Sequence, residues 1–278
     1  MHFYTNVQKY RDFILARGIK NGKRYIKRLQ YEPTLYVPTN KQSPFKSVKG
    51  DFLQAKKFGS INHARNWKKK FKGTNVDIHG LDSWEYTYIN ESFPSDINFD
   101  IKQLNILCID IECECENGFP EPIEAEEKVN AITMKLFGHD TIHVIGTDNF
   151  DFKTDNPNVH YHACQHEKQL LKTFMEVWAE LEPDIVTGWN VESFDMAYLI
   201  NRIWKLFNWD TATKLSPHNL LTSREWFYMG QKKQIAYNIS GVATLDYLQM
   251  YKKFIYITRE TYRLDHIAEV ELGKKKID

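Results

Sequence analysis

The 278-residue sequence predicts an α/β fold preceded by a smaller mixed α+β domain. Three observations carry the prediction. Leu104-Asn-Ile-Leu-Cys-Ile-Asp-Ile-Glu112 is an apolar, β-favouring run suited to a buried central sheet strand. Residues 167–181 place Leu170, Leu171, Phe174, Met175, Trp178 and Leu181 at helical spacing, and Pro183 stops the helix. Between and beyond these lie further strands, at residues 129–137, 141–146 and 184–188, and a second helix at 193–208.

Taken in chain order, residues 23–37 predict a strand pair, with Tyr31-Glu-Pro-Thr-Leu-Tyr-Val37 as its clearest strand. Ser60-Ile-Asn-His-Ala-Arg-Asn-Trp-Lys-Lys-Lys-Phe71 reads as a helix with Ser60 as N-cap. The Pro/Asn/Asp-rich segment Ser92-Phe-Pro-Ser-Asp-Ile-Asn98 marks a boundary, dividing the chain into domains 1–100 and 101–278. In the second domain a turn at Gly138-His-Asp140 joins two strands, and Asp184-Ile-Val-Thr-Gly188 is short and β-like. Near the end, Trp226-Phe-Tyr-Met-Gly-Gln-Lys-Lys-Gln-Ile-Ala-Tyr-Asn-Ile239 reads as two β-prone runs around a polar turn. Lys232 and Lys233 at its tip would reach backbone phosphates, although an ordinary surface hairpin explains the pattern nearly as well.

Charge is polarised along the chain. Residues 1–80 carry 18 Lys/Arg against 4 Asp/Glu, while the whole chain has a net charge of only +1. A basic first half suits a polyanion, and Lys23-Arg24 with Lys27-Arg28, and Lys68-Lys69-Lys70 with Lys72, favour phosphate contacts. Tyr25, Tyr31, Phe52, Trp67 and Phe71 lie among or near them, as base-stacking platforms or, more simply, as core. The apolar runs are far short of a membrane span, and the opening residues lack a signal-peptide layout. Cys108, Cys113, Cys115 and Cys164 have neither zinc-site spacing nor disulfide-scaffold density, so reduced thiols in a cytoplasmic compartment are expected.

Asp110 and Glu112 stand two apart on a predicted strand, so both side chains take the same face. Paired carboxylates repel, and a hard divalent cation such as Mg²⁺ or Mn²⁺ resolves the repulsion. A strand running out into solvent is the plain alternative, and Glu114 and Glu116 continue the same parity. The second signal is Asp184-Ile-Val-Thr-Gly-Trp-Asn-Val-Glu-Ser-Phe-Asp195, a strand, a Gly-Trp-Asn turn and a helix start. Asp195 falls in that helix's first turn, where the helix dipole also favours a carboxylate.

These two strings closely resemble the first and second exonuclease motifs of family B DNA polymerases. The order of strands and helices resembles the ribonuclease H-like nuclease fold, a mixed sheet flanked by helices. The likeness covers nearly the whole chain and is greatest to the polymerases of T-even-type bacteriophages. Leu245-Asp-Tyr-Leu-Gln-Met-Tyr-Lys-Lys-Phe254 and Tyr262-Arg-Leu-Asp-His-Ile-Ala268 are similar to the stretch between their second and third motifs. The resemblance implies a 3′→5′ proofreading exonuclease working by two-metal phosphodiester hydrolysis with Mg²⁺ or Mn²⁺. It makes Asp110, Glu112 and Asp195 metal ligands and catalytic acids, with Asn190 and Phe194 positioning the terminal nucleotide. It also implies a single-stranded DNA 3′ end and primer-template as substrates, the palm, fingers and thumb as partners, and the bacterial host cytoplasm as location. Asp246 reads as a helix N-cap and Asp265 as a surface residue.

The sequence departs from the family pattern in one respect that matters. Such domains use a fourth acid in a Tyr-x-x-x-Asp motif, and none of the 15 tyrosines here is followed four positions later by Asp. Polymerase catalytic motifs are absent too. The expectation is a truncated or split polymerase whose isolated nuclease is weak or inactive. Two other functions compete: a non-catalytic nucleic-acid-binding module for template strand or the enzyme's own messenger RNA, and a stand-alone nuclease of the same fold.

Overall fold

The computed structural model describes residues 1–116, 118–147, 154–228 and 232–275. The chain forms two compact units, Met1–Gln103 and Leu104–Asp278.

The first unit is built on an antiparallel sheet of β1 (His2–Tyr10), β2 (Phe13–Lys20) and β3 (Lys23–Gln30) in that order. A second sheet has the order β4-β6-β5, from β4 (Thr34–Pro38), β5 (Phe45–Lys46) and β6 (Phe52–Lys57). The predicted strand pair at 23–37 is therefore corrected. Both strands exist, but β3 pairs with β2 and β4 with β6. Pro33, with no N–H to donate, lies between them where a hairpin would need ladder bonds. Helix α1 (Ile61–Lys69) follows, and the Ser60 side chain accepts from His63 N–H as the N-cap prediction requires. Helix α2 (Trp84–Ser92) completes the unit. Its core gathers Ile14, Leu35, Phe58, Ile61, Ala64 and Trp84. Tyr31 is buried there too, and Trp67 packs against it, which answers the core-or-stacking question for those two rings.

The second unit is organised by a six-stranded mixed sheet of order β10-β9-β8-β7-β11-β14. Its strands are β7 (Ile106–Cys113), β8 (Val129–Leu136), β9 (Ile142–Gly146), β10 (Val159–Ala163), β11 (Ile185–Gly188) and β14 (Ala243–Asp246). Strands β7, β11 and β14 run parallel, and β8 is antiparallel to both β7 and β9. Helix α3 (Glu167–Leu181) and helix α4 (Asp195–Leu206) supply the apolar side chains that meet the sheet, among them Phe174, Trp178, Leu199 and Ile203. The short helix α5 (Trp209–Thr213), the hairpin β12 (Leu221–Tyr228) and β13 (Lys232–Ile239), then α6 (Tyr247–Phe254) and α7 (Leu264–Leu272) complete the described chain. None of its helices is long and apolar enough to cross a membrane.

Strand β7 occupies the middle of the sheet, as expected, but it is not buried on both faces. Leu107, Ile109 and Ile111 enter the core, while Cys108, Asp110 and Glu112 are exposed on the opposite face. Alternation of this kind fits a strand with one wet face. The apolar run in the sequence is continuous only because Ile and Cys alternate with the true core residues.

A buried ion pair ties the two helices to the sheet. Arg202 on α4 donates Nε and Nη2 to the two carboxylate oxygens of Glu167 on α3, both at 2.7 Å. Its Nη1 donates to the carbonyls of Ala125 and Glu126, each at 2.8 Å, and Glu167 also accepts from Val129 N–H at 2.9 Å. Both side chains are at least 90% buried, with exposures of 7% and 10%. Removing one partner of such a pair strands the other, at a cost of about 3–5 kcal/mol. Glu167→Ala is therefore expected to lower unfolding free energy by that amount in a urea titration. A loss under about 1 kcal/mol would show that the pair is not stabilising α3 against α4.

Candidate active site

The parallel pairing of β11 with β7 spans only Ile106, Leu107 and Cys108 on β7. Beyond that point β7 continues through Asp110 and Glu112 while the neighbouring chain turns away. Gly188 makes the turn possible at close range. A Cβ there would stand 2.7 Å from the Ile109 carbonyl oxygen and 3.1 Å from Val191 Cβ. Asn190 then adopts a left-handed φ of 66°, which Asn tolerates better than most residues. Its carbonyl accepts from Phe194 N–H at 2.9 Å, closing the turn that starts α4.

Asp195, the first residue of α4, is delivered by this turn to the unpaired edge of β7. Its Oδ1 accepts from Ile111 N–H at 3.1 Å, between the two exposed acids. Asp195 is only 3% exposed. Burial, followed by the negative charge of Asp110, pushes its carboxyl up to about 7, and the Asp195 and Ile111 N–H groups pull the other way. Asp110 and Asp195 are thus within electrostatic reach of each other. The thiol of Cys108, on a residue that is exposed as a whole, is also pushed up, by partial loss of hydration and then by the charges of Asp110 and Asp195. Glu112 shares the exposed face of β7 with Asp110.

These carboxylates are hard oxygen donors, the chemistry that Mg²⁺ and Mn²⁺ select, and a cation would relieve the repulsion that raises Asp195. The fit is partial. Among the described residues, no group of three His, Cys, Asp or Glu side chains stands arranged to hold a metal ion.

The remaining predicted residues take varied surroundings. Phe194 packs against Tyr198 and against Phe119, whose ring centroid lies 5.4 Å away. Phe119 is 73% exposed and was not foreseen; its only sequence signal is an aromatic in the Gly118-Phe-Pro120 loop after β7. Trp189 donates Nε1–H to the Tyr262 carbonyl at 3.1 Å and meets the rings of Tyr247 and Tyr251. Strands β12 and β13 form the predicted hairpin, with Tyr228 opposite Lys232. Residues 229–231 at its tip and the side chain of Lys232 lie outside the description, and Lys233 pairs with Glu225 at 2.8 Å. Asp246 caps α6 as expected, accepting from Leu248 and Gln249 N–H, and Asp265 is exposed.

With the site described, comparison with known proteins is decisive. The family model for the DNA polymerase family B exonuclease domain matches residues 61–267. The chain belongs to this family. It is 29% identical over 304 aligned residues to the DNA-directed DNA polymerase of Escherichia phage RB69, covering 99% of this chain and 34% of that protein. Identity to the DNA-directed DNA polymerase of Enterobacteria phage T4 is 27% over 299 residues, covering 99% of this chain and 33% of that one. The DNA polymerase catalytic subunit of Alcelaphine herpesvirus 1 (strain C500) is 27% identical over 191 residues, covering 64% of this chain and 18% of the subunit. The chain spans about a third of the length of the two phage relatives.

The raised Asp195 has a consequence for pH. The folded protein holds this proton more tightly than the unfolded chain, so the group's contribution is complete in acid and is lost as pH rises from about 4 to about 7. Asp110→Asn removes a like charge, so it should lower the Asp195 midpoint in a ¹³C-carboxyl NMR titration without added cation. An unchanged midpoint would show that the two acids do not interact.

Proposed function

We propose that this chain is the amino-terminal and proofreading portion of a replicative family B DNA polymerase, a 3′→5′ exonuclease acting on the primer end. The observation that supports this reading best is the convergence of Asp195 on the strand carrying Asp110 and Glu112, through the Ile111 N–H. Exonuclease domains of this family are generally dependent on divalent metal. Here Asp110, Glu112 and Asp195 would hold Mg²⁺ or Mn²⁺. The cations, when bound, supply the positive charge that keeps the carboxylates ionised and stabilises the charge developing during phosphodiester hydrolysis.

The chain's own residues bind and orient. Phe194 and the exposed Phe119 offer a ring pair on which a terminal base stacks. Asn190, held in its left-handed turn, would help position the same nucleotide. Lys232 and Lys233 approach backbone phosphates from the hairpin, and Lys233 gives up its Glu225 partner to do so. The first unit, with its basic excess, contacts primer-template DNA, and the palm, fingers and thumb are its partners in a bacterial host's cytoplasm. No Tyr-x-x-x-Asp supplies a fourth acid within these 278 residues, so this chain alone is a weak nuclease.

A non-catalytic role on single-stranded nucleic acid, the template or an RNA, is the second reading, supported by the +14 balance of residues 1–80. Incubation of concentrated protein with a 3′-labelled single strand and Mn²⁺ separates the two. Slow release of mononucleotides is expected, falling by about 100-fold or more in Asp110→Ala and in Asp195→Ala. Release that survives both substitutions would overturn the assignment, and rapid release by the unsubstituted chain would overturn its weakness. Salt-sensitive binding in EDTA with no hydrolysis at all would favour the second reading.

A further inference from the structure

The carboxylate of Asp246 does more than a helix cap requires. Strands β11 and β14 are parallel neighbours that end together, with Gly188 opposite Asp246. From the end of β14, Oδ1 accepts from Leu248 N–H at 2.9 Å and Gln249 N–H at 3.3 Å, the capping bonds of α6. The same oxygen accepts from Asn190 N–H at 3.2 Å, and Oδ2 accepts from Glu192 N–H at 3.1 Å. Two of its four bonds therefore go to a different segment, more than 50 residues away in sequence. Asp246 is 5% exposed, and a buried carboxylate is tolerated because several N–H groups converge on it.

We infer that Asp246 is a positioning residue for the nuclease site: it clamps the Gly188–Glu192 loop to the N-terminus of α6 and so fixes Asn190 and the entry to α4. The inference rests on the nuclease reading for its meaning, but the clamp itself does not. Asn190 sits in the left-handed region without glycine's freedom, so its conformation needs support from its surroundings. The Asp246 bonds hold this loop on both sides of Val191. Three residues on, the same turn delivers Asp195 to Ile111.

Two substitutions separate clamp from cap. Serine is a good N-cap, so Asp246→Ser preserves the cap of α6, but its short side chain has a single oxygen and does not span to the loop. Asp246→Asn is isosteric and keeps Oδ1, while its amide group can no longer accept from Glu192 N–H. Native-state amide exchange followed by NMR reads both. In Asp246→Ser, Asn190 and Glu192 should exchange about tenfold faster or more while Leu248 and Gln249 stay within a few-fold of the unsubstituted protein. In Asp246→Asn only Glu192 should accelerate.

Binding of a 3′-terminated single strand in Ca²⁺, read by fluorescence anisotropy, then tests the positioning role. Asp246→Ser should bind about tenfold more weakly, with Asp246→Asn intermediate. Unchanged exchange at Asn190 and Glu192, or equal acceleration of the loop and α6 amides in both variants, overturns the clamp. A loosened loop with undiminished strand affinity overturns the positioning role. Failure of the unsubstituted chain to bind a strand would instead count against the nuclease reading, and the exchange result would stand.

Discussion

The hydrogen bond from Ile111 N–H to Asp195 Oδ1 joins residues 84 positions apart, and the geometry of the acidic site follows from it. The bond exists because β11 stops pairing with β7 after Cys108 and leaves the next stretch of β7 with donors on a bare edge. A carboxylate is the acceptor best suited to that edge. Bonds of this charge-assisted kind contribute about 1.5–3 kcal/mol, enough to offset part of the cost of burying Asp195. The residual cost is visible as its raised affinity for a proton. Burial and hydrogen bonding therefore pull against each other at this position. A leucine there would leave the buried Ile111 N–H without its acceptor, at a cost of about 1–3 kcal/mol.

The same logic explains why the surrounding turn is so heavily tied. Gly188 is required by backbone proximity, Asn190 by a left-handed φ, and Trp189 is anchored by its indole N–H to Tyr262. Each restraint acts on a different residue of one short loop. Together they leave the direction of α4, and with it the approach of Asp195, little freedom. Further along α4, Arg202 meets Glu167 in a desolvated, bidentate pair, so both ends of the helix are fixed by charge while its middle is fixed by apolar burial.

Much of this was legible in the sequence where local signals are strong. Helix α3 was read with its observed bounds, because an amphipathic stripe is bracketed by Glu167 in its first turn and Pro183 after it. Four of the six strands, β7, β8, β9 and β11, were legible; β10 escaped because its alternation, Val159-His-Tyr-His-Ala163, is only five residues long and none of them is buried, and the four-residue β14 gave no signal of its own. Strands β1 and β2 escaped for a related reason: β1 is half-buried almost throughout and β2 is buried almost throughout, so neither gives a period of two. Asp110, Glu112 and Asp195 were nominated by motif, whereas the bond that joins their segments is a long-range fact that no local pattern encodes. Asp246 illustrates the limit well. Its capping role is local and was predicted, and its grip on the Asn190 loop, through contacts 54 and 56 residues distant, was not.

The ion pair between Arg224 on β12 and Glu192, at 2.7 Å, links the hairpin to this same loop. Arg224 is 67% exposed in its side chain, so the link is worth at most about 1 kcal/mol, comparable to thermal energy. It behaves as a latch rather than a strut. Counterions at raised salt compete for the guanidinium, and releasing it frees the Glu192 carboxylate. Ionic strength thus acts on the protein's mechanics, loosening the coupling between hairpin and loop as counterions screen the pair.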